Sequence, residues 1–147
     1  MKKTEKNRQL ILAFFQQISG TQKTKLSLKP YTSDPKLIDH LLFWEQLFPK
    51  YHLRIDEVST EEERVIVLGH THGTHTGAIN GFAPTRETLE IPFAAGYRIA
   101  HGKITEHWFI ADHLELLEKM GLVKVKGGGS REQGEKDFNS YESAGKK

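Results

Sequence analysis

GKITEHWFIAD, residues 102–112, reads as a β-strand buried on one side, yet it places Glu106, His107 and Asp112 around Trp108, Phe109 and Ile110. An unpaired carboxylate is costly to bury, so each ionisable group here must be solvated, paired, protonated or used. With a period of two and no bulge, Ile104, Glu106, Trp108, Ile110 and Asp112 share one face. If that face lines a cavity, Asp112 ends an apolar wall built by Trp108 and Ile110. Its carboxyl pKa would then rise from about 3.9 toward the range useful to a general base. His107, on the other face, reads as a surface or interface residue. Asp112 also precedes HLELLEKM, where an aspartate is a good helix N-cap, so base and cap both stay open.

Outward from this strand, the preceding chain has the same period. YHLRIDEV, RVIVLGHTH and ETLEIPFAAGYRIA read as three further strands, separated by Glu-rich or Gly-containing turns. Pro92 inside the third suggests an edge or a bulge. Before residue 50 the period is helical. Leu10, Ile11, Phe14, Phe15 and Ile18 form one stripe, and Gly20 stops it. Residues 21–33 fit either a short helical turn or an extended connection. Ser33 or Asp34 can cap a helix with Pro35 in its first turn, and Pro49 ends it. HLELLEKM forms a short last helix stopped by Gly121. Helices followed by an antiparallel meander make an α+β domain, in which a curved sheet wrapped over the helices would leave a pocket.

The 147 residues suit one domain of ordinary size, and 37% hydrophobic residues support a packed core. With 21 Lys and Arg against 19 Asp and Glu, the net charge of +2 argues against nucleic acid or an anionic membrane as partner. The chain has no cysteine, which excludes disulfides, thiolate metal sites and a cysteine nucleophile. No apolar run is long enough to span a bilayer, and the N-terminus lacks a signal-peptide core, so a cytoplasmic protein is expected. Residues 127–147 are rich in Gly, Ser and charge and read as a flexible tail after a domain of residues 1–126. GGGS is also a common engineered linker.

Three further groups carry possible chemistry. His70 and His72 share a strand face, but a metal needs a third ligand, and His75 falls on the other face unless Gly73 supports a bulge. They read as polar residues on an exposed or dimer-facing strand, and no metal is expected. On the helix after Pro35, Phe43 and Trp44 suit packing on the sheet, whereas His40 can reach a ligand or Asp112. Tyr97 combines a burying ring with a hydroxyl able to donate to an enolate oxygen.

FPKYHLRIDEV, GTHTGAINGFAPT and YRIAHGKITEHWFIADHLELLEKMG, together with SDPKLIDHLLFWEQLFP, resemble the SnoaL-like polyketide cyclases, or ester cyclases, of the nuclear transport factor 2-like superfold. The likeness spans roughly residues 5–122, within the few positions by which element ends vary. It implies a cone: a strongly curved antiparallel sheet packed on N-terminal helices, enclosing a pocket and often dimeric through the outer sheet face. It also implies a cofactor-independent enzyme in which the aspartate after EHW, here Asp112, acts as general acid and base in aldol-type ring closure. His40 and Tyr97 would assist on a small apolar carbonyl substrate, in a pocket of Trp108, Ile110, Phe43, Trp44, His75 and Phe93. The alternative is a non-catalytic binder of a small apolar ligand on the same fold. One departure is local: the family loop usually runs Pro-Thr-Gly-Lys, whereas here Arg86 and Glu87 follow Pro84 and Thr85.

Overall fold

The computed structural model describes residues 1–78 and 81–122, so the expected tail at 127–147 lies outside the described residues. Two compact units are present, Met1–Ala111 and the chain from Asp112 on. The first contains α1 (Lys3–Ile18), α2 (Lys25–Leu28), α3 (Pro35–Leu47), β1 (His52–Glu61), β2 (Arg64–Thr74), β3 (Thr88–Ala100) and β4 (Lys103–Ala111). In the second, α4 (His113–Lys119) is described. Helices precede an antiparallel meander of order β1-β2-β3-β4, an open α+β sheet as the periodicity indicates.

The stripe on α1 is real: Ile11, Phe14, Phe15 and Ile18 are all buried. Phe15 stacks on Phe93 at 6.2 Å and meets Tyr97 edge-on at 6.0 Å, so α1 covers the inner face of β3. Full burial of each such ring is worth about 1.5–3 kcal/mol. The uncertain stretch contains a single helical turn, α2, whose ends are tied by a reciprocal Thr24–Ser27 capping box. Behind it, the fully buried Lys23 amine donates to the Tyr51 and Thr21 carbonyls and pairs with Glu45 at 3.3 Å, fastening the α1–α2 connection to the α3–β1 corner.

The β3–β4 turn, His101–Gly102, has φ of 51° and 74°, the all-left-handed pair of a tight hairpin. Two residues beyond it the register slips: Ile99 faces Ile104, but Arg98 faces Glu106, so Thr105 is one residue too many. This bulge overturns the simple alternation expected for GKITEHWFIAD. Ile104 points into the core, while Glu106, Trp108 and Ile110 point out, Trp108 at 45% and Ile110 at 65% exposure. His107 and Phe109 instead take the inner face beside Tyr97 and Ala95.

Pro92 lies at a local edge of the sheet, as the sequence suggests. It pairs with His70 of β2, while β4 pairing begins one residue later, at Phe93 opposite Ala111. β3 thus has a single neighbour at Pro92, the kind of position where a strand tolerates proline.

Candidate functional site

The bulge and the α3 N-terminus together build one polar cluster. Residues 31–34 run beside the start of β4: Ile104 N–H donates to the Tyr31 carbonyl at 2.8 Å, and Thr32 Oγ1 donates to the Ile104 carbonyl at 2.9 Å. That pairing delivers Asp34 to the inner face. Its Oδ1 accepts from Lys36 N–H at 3.0 Å, capping α3, and its Oδ2 lies 2.7 Å from His107 Nδ1. Both side chains are almost wholly buried, at 9% and 11% exposure. An ionised carboxylate only accepts, so Asp34 holds the proton of His107 on Nδ1 and directs Nε2 away from itself.

Next to this dyad stands His40, one turn into α3. Its ring lies 5.9 Å from His107, 4.6 Å from Phe109 and 6.5 Å from Trp44. Phe109 stacks on Phe93 at 5.2 Å, which continues to Phe15. The inner wall is therefore Phe93 and Phe109 rather than Trp108 and Ile110, and those two expected lining residues belong to the opposite face. Phe43 is 45% exposed against Trp44 at 5.1 Å. Tyr97 is buried between Phe14 and Phe15, and burial pushes its phenol well up, so it keeps its proton and can donate it in a hydrogen bond.

Asp112 is the N-cap of α4: its Oδ1 accepts from Glu115 N–H at 2.9 Å. The cap reading drawn from the sequence is thus present.

His75 closes the other end of α3. Its backbone N–H donates to the Glu87 carbonyl and its carbonyl accepts from Arg86 N–H, pinning the 75–87 loop. Gly77 packs against the Gln46 carbonyl so closely that no Cβ fits, and its N–H donates to Leu47 O. The motif GTHTG thus seats the loop on the α3 C-terminus. Arg86, where the related loop has glycine, is left-handed at φ 64°.

On the outer face, His70 contacts Asp56, which Arg54 also binds, and His72 pairs with His52 across the strands. Two apolar cross-strand rows, Ile66–Gly96–Trp108 and Leu68–Ala94–Ile110, run beside the charged row Arg64–Arg98–Glu106. A depression of about 370 Å³ opens there, lined by Arg64, Ile66, Gly96, Arg98, Glu106 and Trp108. No helix among the described residues is long and apolar enough to cross a membrane.

Sequence reasoning missed Asp34 and His107 as partners. Asp34 was legible as a cap, but its second role depends on the bulge. The signal that could have found it is the otherwise unexplained histidine in a half-buried strand.

A family model for SnoaL-like polyketide cyclase matches residues 22–120. Solved structures share the fold, among them the following. A protein assigned as a SnoaL-like polyketide cyclase from Jannaschia sp. CCS1 has a TM-score of 0.69 at 17% identity, covering 84% of this chain and 97% of its own. AclR from Streptomyces galilaeus, assigned as a hydroxylase, gives 0.69 at 20% identity over 85% and 91%. TsrD from Streptomyces laurentii gives 0.68 at 16% identity over 84% and 100%. At these identities the likeness establishes the fold alone. No curated protein sequence matches the chain.

Proposed function

This chain belongs to the SnoaL-like polyketide cyclase family, and we propose that it is a cofactor-independent proton-transfer enzyme acting on a small, largely apolar carbonyl compound. The observation that carries this reading is the inner face. An aromatic wall of Phe15, Phe93 and Phe109 is bordered by ionisable groups, His40 and the Asp34–His107 dyad, that packing alone does not require.

In the ring-closing form of this chemistry, Asp112 removes a proton from carbon next to a carbonyl. The resulting enolate carbon bonds to a second carbonyl carbon of the same molecule, and Asp112 returns the proton to the new alkoxide. Tyr97, held protonated by burial, and His40 would donate to the developing oxyanion, each such group contributing on the order of a hundredfold. In the structure Asp112 caps α4 through Oδ1. The same cap bond favours, as a second reading, a binding protein in which Asp112 does no chemistry.

The outer face supports a further element, a homodimer. Exposed Ile66, Leu68, Trp108 and Ile110 form a contiguous apolar band with charged residues beside it, the anatomy of a self-complementary interface.

The test of function is ring closure of linear methyl esters of poly-β-ketones, followed by product mass and absorbance. Loss of at least a hundredfold in Asp112→Asn is expected. Full turnover in that variant would remove the proton-transfer role.

A further inference from the structure

We propose that His75 is a preset hydrogen-bond donor to a carbonyl oxygen of the bound compound, through Nε2–H. His75 is 1% exposed. Its Nδ1 accepts from Thr85 N–H at 3.0 Å and lies 3.0 Å from Thr85 Oγ1. A backbone N–H can only donate, so Nδ1 carries no proton and the neutral ring has its proton on Nε2. Nε2 itself is buried and has no hydrogen-bond partner among the described residues. Buried donors without acceptors are rare in folded proteins and call for an acceptor from beyond the described residues, which a bound compound can supply.

The ring's surroundings indicate which acceptor. His75 lies 5.4 Å from Phe48, Phe48 lies 6.1 Å from Trp44, and Trp44 lies 6.5 Å from His40. His40, Trp44 and Phe48 recur every fourth residue, so this row spans about 12 Å along the helix axis. It has His75 at one end and the His40–His107 cluster at the other. A flat, largely apolar molecule carrying a carbonyl matches an aromatic row that ends in a fixed N–H. A cation or a group that can only donate does not. The proposal rests on the reading of the inner face as a site for a carbonyl compound, and adds the residue that recognises the oxygen.

The probes are 2-acetylnaphthalene and its hydrocarbon counterpart 2-isopropenylnaphthalene, which replaces C=O by C=CH₂, titrated into the full chain by equilibrium dialysis. Wild type is expected to prefer the ketone by about tenfold, the usual effect of one buried hydrogen bond. His75→Asn places an acceptor where Nδ1 was and nothing where Nε2 was. It should keep the wild-type melting temperature and bind both probes equally. His75→Gln places an amide N–H near Nε2 and should restore part of the preference. Nitrogen-15 spectra of the histidines should show Nε2 protonated and Nδ1 bare, with Nε2 moving on addition of ketone but not of alkene. A proton on Nδ1, equal affinities in wild type, or a ketone preference unchanged in His75→Asn would each overturn the role of His75 and leave the site reading standing. If neither probe binds, the site reading falls and this proposal falls with it.

Discussion

Separating Asp34 from His107 should cost more than the loss of a helix cap. Asp34 performs two tasks through two oxygens: Oδ1 caps α3 at 3.0 Å, and Oδ2 meets His107 at 2.7 Å. An N-cap is worth about 1 kcal/mol, and a hydrogen bond to a charged group about 1.5–3 kcal/mol. Both side chains are about nine-tenths buried, so water screens little of the interaction. Asp34→Ala should therefore cost about 2.5–4 kcal/mol, a large part of the stability of an ordinary domain. His107→Ala leaves the cap intact but strips Oδ2 of its partner, and should cost nearly the whole pair term. The double variant should be little worse than Asp34→Ala. Urea unfolding of the wild type, both single variants and the double variant closes the cycle, with an expected coupling of about 1.5–3 kcal/mol. A coupling below about 0.5 kcal/mol, the ordinary error of additivity, would refute the buried dyad and the inward placement of His107.

Three shorter predictions follow from other parts of the molecule. Arg86→Gly should stabilise by about 0.5–1 kcal/mol in thermal melts, because removing a left-handed side chain regains about 1–2 kcal/mol and glycine gives back about half through unfolded-state entropy; a destabilised variant would contradict the strained loop. Trp108→Glu should shift the mass in light scattering from twice 16.8 kDa to that of one chain, and a wild-type monomer would remove the dimer. Burial raises the pKa of both the Tyr51 and Tyr97 phenols, so the folded chain keeps protons that the unfolded chain releases above about pH 10. That stabilisation is complete below pH 10 and is lost above it. Lys23, pushed down by burial, works in the opposite sense as pH rises toward its ordinary value, so Tyr97→Phe is the clean comparison: it should show a shallower alkaline loss in urea melts than wild type.

Local chemistry explains why most elements could be read in advance. Asp34 and Pro35 mark the α3 start because an N-cap and a first-turn proline act within one turn of helix. His101–Gly102 marks the last hairpin because few residue pairs accept two positive φ values. The faces of β4 were another matter. One extra residue, Thr105, inverts every side chain after it, and nothing in the local composition signals that insertion. It exchanged Trp108 and Ile110 for His107 and Phe109 on the inner wall. Asp34 and His107 are 73 positions apart, so their meeting depends on the 31–34 segment running along β4, a long-range pairing with no local signature. His75 was recognisable through GTHTG, but the acceptor role of its Nδ1 depends on Thr85, ten residues on.

The most direct test of the proton-transfer claim needs no natural substrate. The full chain is incubated in D₂O with 2-acetylnaphthalene at a concentration shown to bind, and proton NMR follows deuterium entering the methyl group next to the carbonyl. The account predicts exchange well above the buffer rate, reduced about a hundredfold or more in Asp112→Asn. A ketone that binds but exchanges no faster than in buffer, or exchange undiminished in Asp112→Asn, would contradict it and leave a binding protein whose aspartate only caps a helix.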